Sequence, residues 1–123
     1  MRWWAVALVA VAVIPIRLAF AGEADVVAAT LTPSGDGTWR VEATVAHADE
    51  GWDHYAGAWE VVAPDGTVLG TRTLLHPHVD EQPFTRALTG VAIPGDVAVV
   101  TVRARDSVHG HGGRELTVAV PRD

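Results

Sequence analysis

The 123-residue sequence has no cysteine and no lysine, one tyrosine, and a single methionine at position 1. Without cysteine there is no disulfide, no thiolate ligand and no residue for a lipobox lipid. Without an internal methionine the soft ligands that Cu(I) prefers are missing as well, so a metal bound here would be a borderline ion. Without lysine, positive charge comes from arginine alone, and the formal net charge is −6. Phosphate binding needs clustered positive charge, which excludes nucleic acid as a partner. The acidic balance suits an exported protein and attracts cations. Nor does any stretch after residue 22 carry a helical stripe of apolar residues.

What is present begins with an export signal. Arg2 is a short positive segment, Trp3 to Ile14 is unbroken and apolar, Pro15 follows, and Ala19-Phe20-Ala21 has the small-x-small form of a cleavage site. The expected division is a signal peptide over 1–21 and a single domain over 22–123. The apolar run is shorter than the roughly 20 residues a membrane-spanning helix needs, and Arg17 interrupts any longer span. No stable membrane insertion is therefore expected after cleavage. The processed chain would carry seven arginines against fifteen acids.

That domain reads as all-β. Pro33-Ser34-Gly35-Asp36-Gly37, Pro64-Asp65-Gly66 and Pro94-Gly95-Asp96 are compact turn signals. Seven strand-like segments lie around them: 25–32, 38–46, 55–63, 67–75, 84–89, 97–105 and 114–120. In the second, Trp39, Val41, Ala43 and Val45 alternate with Arg40, Glu42 and Thr44, which implies one buried face and one wet face. In the sixth, Val100, Val102 and Ala104 point inward. Seven short strands in about 100 residues predict an antiparallel β-sandwich of two sheets.

The segment Leu88-Thr89-Gly90-Val91-Ala92-Ile93-Pro94-Gly95, then Val100-Thr101-Val102-Arg103-Ala104-Arg105-Asp106 and Gly110-His111-Gly112-Gly113, resembles the C-terminal half of a fibronectin type III domain, an immunoglobulin-like β-sandwich. The sequence departs from that family at the corner, where Asp96-Val97-Ala98 replaces the usual tyrosine. The run from Trp52-Asp53-His54-Tyr55 through His76-Pro77-His78 to Gln82-Pro83-Phe84-Thr85-Arg86 is similar to a family of small exported bacterial proteins. The resemblance implies a binding or spacer module and carries over no catalytic residue, since fold does not fix function.

All six histidines fall in three connections: His47 and His54, His76 and His78, His109 and His111. Antiparallel strands reverse direction each time, so alternate connections share an end of a sandwich. The three tight turns should occupy one pole and the histidine connections the other, where such folds place binding surfaces. The expected binding loops hold His47, Asp49, Glu50, Trp52, Asp53, Asp80, Glu81 and Asp106. The expected activity is recognition through this pole, without catalysis, of a protein or other ligand that the sequence does not name. The alternative is a periplasmic or secreted Zn²⁺- or Cu²⁺-binding protein whose ligands come from His54, His76, His78, His109 and His111. Each His-x-His pair in extended backbone puts both rings on one side. Set against it, loop histidines also serve as braces to carbonyls. A further alternative is structural interaction by strand addition at an exposed sheet edge. Asp106-Ser107 with His109 lacks the Gly-x-Ser-x-Gly elbow of a nucleophilic site, and Asp49-Glu50 and Asp80-Glu81 lack the cleft of a glycosidase.

Overall fold

A computed structural model describes residues 9–13 and 22–122. Among the described residues there are eight strands, not seven: β1 (Ala10–Val13), β2 (Asp25–Pro33), β3 (Thr38–Ala46), β4 (Ala56–Val62), β5 (Val68–Thr73), β6 (Phe84–Ala92), β7 (Val99–Asp106) and β8 (Leu116–Ala119). The additional strand comes from the apolar N-terminal run. Ala10–Val13 pairs antiparallel with β2, placing Ala10 opposite Leu31 and Val13 opposite Ala28. An alternating Ala/Val segment can satisfy the backbone groups along a sheet edge while turning its small residues inward. Ala10 and Ala12 pack against the core, and Val11 and Val13 face solvent. The expected cleavage residues, Ala19-Phe20-Ala21, lie outside the described residues, as does Arg2.

The strands form two antiparallel four-stranded sheets with orders β1-β2-β3-β6 and β5-β4-β7-β8. One apolar cluster fills the space between them. Val26, Leu31, Trp39, Val41 and Val45 enter it from the first sheet, and Trp59, Val61, Val100, Val102 and Ala104 from the second. The alternation in β3 is realised directly: its four apolar residues are buried, and Arg40 is exposed. β6 runs on to Ala92, past the expected end near Thr89, because β3 continues to pair with it as far as Thr38.

Connections β3–β4 (47–55), β5–β6 (74–83) and β7–β8 (107–115) meet at one end of the molecule. The backbone N–H of His78 donates to Asp49 Oδ2 at 2.7 Å, and that of His47 donates to Gln82 Oε1 at 2.9 Å. Tyr55 N–H donates to Ser107 Oγ at 3.1 Å. The start of β2 joins them: Val26 N–H donates to Arg114 O at 2.9 Å, and Arg114 N–H to Asp25 Oδ1 at 2.7 Å. This contact depends on glycine. A Cβ at Gly113 would overlap the carbonyl group of Ala24, a backbone atom pair that cannot swing aside.

Gly113→Ala is therefore expected to destabilise the protein by about 1–3 kcal/mol, the usual cost of forcing extra carbon into a packed contact. Chemical denaturation measures it, and an unchanged midpoint would contradict the close approach.

Candidate metal centre

Strand parity delivers the polar cluster at this pole. Trp39, Val41, Ala43 and Val45 face inward along β3, and the next residue in that register is His47, which is fully buried. Val100, Val102 and Ala104 face inward along β7, and the next is Asp106, 1% exposed. The loop 47–55 then folds back so that His54 comes between them. Gly51, at φ +95°, supplies the left-handed residue this turn needs, and Glu50 and His54 close it through Glu50 N–H donating to His54 O at 2.8 Å.

The side chains converge closely. His47 Nε2 and His54 Nε2 are 3.2 Å apart. His54 Nε2 lies 3.1 Å from Asp106 Oδ1. One ligand atom from each of His47, His54 and Asp106 lies within 4.8 Å of the other two. An ion with bonds of about 2.0–2.1 Å in tetrahedral geometry separates its ligands by about 3.3 Å, so two of the three edges already match. The third edge, between His47 and Asp106, is within 4.8 Å.

Behind each imidazole stands a carboxylate. His47 Nδ1 is 2.5 Å from Asp49 Oδ1, and His54 Nδ1 is 2.9 Å from Glu50 Oε1. A carboxylate on one ring nitrogen fixes the tautomer and sends the lone pair of the other toward a metal. Asp49 is itself held by the N–H groups of Ala56 and His78. Asp106 Oδ1 accepts from the N–H groups of Val108 (2.8 Å) and His109 (2.7 Å), whereas its Oδ2 is buried and has no hydrogen-bond partner among the described residues. An unpartnered buried carboxylate oxygen is costly, and a cation would relieve it. His109 Nδ1, 3.1 Å from Asp106 Oδ1 and about one-third exposed, borders the solvent-facing side.

The electrostatics favour positive charge. Burial pushes the His54 imidazole toward lower pKa, but Glu50 and Asp106 outweigh it and hold the group above its ordinary value. Burial pushes the Asp106 carboxyl up, yet the N–H groups of His109 and Val108 and the His109 ring hold it below the usual carboxylate range.

The remaining expected residues are placed elsewhere. His78 stacks on Phe84 with ring centroids 4.0 Å apart, and its Nε2 accepts from Arg86 at 3.0 Å. It is a core histidine at the edge of the β5–β6 connection. His76 is exposed and contacts the Pro77 carbonyl through Nδ1 at 3.0 Å. His111 turns back along the second sheet to Glu60, 3.1 Å away, which also pairs with Arg103. His76, His78 and His111 therefore do not join His54 and His109, because neither His-x-His segment lies in a regular strand with both rings aimed at the cluster. Glu81 pairs with Arg86, while Asp53 and Asp80 are solvated. Trp52 is 65% exposed and meets Tyr55 edge-on at 5.4 Å. The Ser107 hydroxyl accepts from Tyr55 N–H and reaches toward the Asp53 carbonyl, not toward His109. His47 and Asp106, expected only as loop residues, stand at the centre of the cluster. The signal that marks them is the inward register of β3 and β7 carried one step further.

Among known proteins, a curated relative from Halomicrobium mukohataei named "Putative lipoprotein" is 41% identical over 96 residues. The match covers 78% of this chain and 47% of that protein, so the chain spans about half the length of the relative it matches. No family model and no solved structure matches.

His78 offers a test of the local electrostatics. Burial, the Arg86 guanidinium and the His76 ring hold its pKa below 6.5. The unfolded chain therefore takes up a proton that the folded chain resists, and this costs stability as pH falls through about 6.5. His78→Phe keeps the stacked ring and removes the titration. With chelator present, its melting temperature should fall less than that of the parent between pH 7 and pH 5. An equal fall in both would contradict the assignment.

Proposed function

We propose that this chain is an exported, non-catalytic β-sandwich, fibronectin III-like in type, that binds a divalent transition-metal ion through His47, His54 and Asp106. His109 is the nearest candidate for a fourth donor. One observation carries the reading. Two buried imidazoles direct Nε2 at each other across 3.2 Å, each with a carboxylate at its Nδ1. That pattern is how proteins orient histidine toward a metal. Two imidazole nitrogens with a carboxylate oxygen suit Zn²⁺ or Cu²⁺. Export is supported by the N-terminal signal pattern and by the name of the Halomicrobium relative. The sandwich type is supported by the three strands that face four once β1 is set aside.

A second reading, recognition of a protein partner, has its own observation. Each loop at the pole presents an exposed apolar residue: Trp52 from the first, Leu75 and Val79 from the second, and Val108 from the third. Aromatic and aliphatic residues so placed are the usual anchors of a contact surface.

Zn²⁺ titration tests the first reading. One equivalent should bind and raise the melting temperature, contributing about 2.7 kcal/mol at a hundredfold excess over Kd. Asp49→Asn leaves the ligands in place but removes the carboxylate behind His47, and should weaken affinity about 10–100-fold. Asp106→Asn should weaken it more. His76→Ala with His111→Ala should leave it unchanged. A parent protein with no metal-dependent shift would end this reading.

Acid should also release the ion, because protons compete for the two Nε2 atoms. Since His54 holds its proton more firmly than an ordinary imidazole, release should begin above the usual value of about 6.5. Kd measured at stepwise pH checks this. Affinity constant between pH 8 and pH 5 would exclude imidazole ligands.

A further inference from the structure

We propose that cleavage between Ala21 and Gly22 creates an additional ligand for this centre, the α-amino nitrogen of Gly22. The inference rests on the metal-binding reading above and on the leader expected from the sequence. Its starting point is a contact: the Gly22 carbonyl oxygen lies 2.8 Å from His47 Nε2, the same ring nitrogen that faces His54. If that nitrogen gives its lone pair to a cation, no proton remains to bridge it to the carbonyl. Two electron-rich atoms at this separation are compatible when both face one cation, since adjacent donors around an ion at about 2.1 Å sit about 3 Å apart.

The neighbouring backbone is held in place. Ala24 is fully buried. Gly112 and Gly113 press against Glu23 and Ala24, and the Asp25 carboxylate accepts from Arg114 N–H at 2.7 Å. Among the described residues, nothing lies within 4 Å of where a Cβ on Gly22 would stand. The residue is thus fixed on its C-terminal side.

The chemistry follows from the peptide bond. While Ala21 is attached, the Gly22 nitrogen is an amide with a delocalised lone pair and is a poor ligand. Hydrolysis by a leader peptidase consumes one water, leaves a carboxylate on Ala21 and frees an amine on Gly22. That amine releases its extra proton and binds. Nitrogen, Cα, carbonyl carbon, carbonyl oxygen and the ion close a five-membered ring. The donor set becomes richer in nitrogen, which favours Cu²⁺ over Zn²⁺. The precursor would then bind weakly and the processed protein tightly, so loading is deferred until after export.

The test compares three chains: full length, one beginning at Gly22 and one beginning at Ala21. Circular dichroism first checks folding; every member of the buried core cluster lies between Ala24 and Val120, and the shortened chains lose the β1 edge strand whose Ala10 and Ala12 pack against it. Cu²⁺ is then titrated into each, and electron paramagnetic resonance reports the number of bound nitrogens. The Gly22 chain should bind at least about tenfold tighter than the other two and show one more nitrogen. Equal affinities or an unchanged nitrogen number would overturn this inference and leave the metal reading standing. A Gly22 chain that does not fold would also overturn it. Absence of stoichiometric binding by all three chains, to Cu²⁺ and to Zn²⁺ alike, would overturn both.

Discussion

The 3.2 Å approach of two imidazole nitrogens inside the protein is the constraint around which this pole is built. All four ring nitrogens of His47 and His54 face an acceptor: Asp49, the Gly22 carbonyl, Glu50 and Asp106. Satisfying every acceptor with protons makes both rings cationic and sets their Nε2 atoms side by side. Leaving one proton off relieves that repulsion but abandons an acceptor. A divalent ion in place of the two Nε2 protons leaves the net charge of the cluster unaltered and removes the conflict. Ion and protons are therefore alternative solutions to one electrostatic problem.

This arrangement is a consequence of how strands end. β3 and β7 hold their inward register up to the pole, and where apolar positions give way to His47 and Asp106 the core passes into a polar site. No extra segment is needed to carry these residues inward. The surrounding loops satisfy what the strands expose: Asp49 caps the N–H groups of Ala56 and His78, and Asp106 caps those of Val108 and His109. Gly113 allows the β7–β8 loop to lie against the start of β2, which brings Gly22 within reach of His47.

The two-sheet, all-β character was legible from turn residues and period-two alternation, because both are local. The β1 strand was not. Its residues belong to the run that reads as a leader, and its pairing with β2 in the full-length chain is a tertiary contact that hydrophobicity alone does not announce. At the site, counting reversals of the chain locates the histidine loops, but not the rings within them. His-x-His spacing does set the His76 and His78 rings side by side, with centroids 4.7 Å apart, but Phe84 and Arg86 hold that pair, whereas in the turn at His109–His111 the two rings part, one to Asp106 and the other to Glu60. His47 and Asp106 were available to a stricter reading of strand register. The contacts of Asp49 with His78 N–H and of His54 with Asp106, 29 and 52 residues apart in sequence, are products of tertiary packing.

The position of the cluster relative to the sheets carries a mechanical implication. His47 extends from β3 in one sheet and Asp106 closes β7 in the other, so a single ion between them would rivet the two layers together. Immunoglobulin domains join their layers with a covalent sulfur bridge. A chain without cysteine has no such fastener, and a removable inorganic one at the rim would make the cohesion of the layers respond to its surroundings.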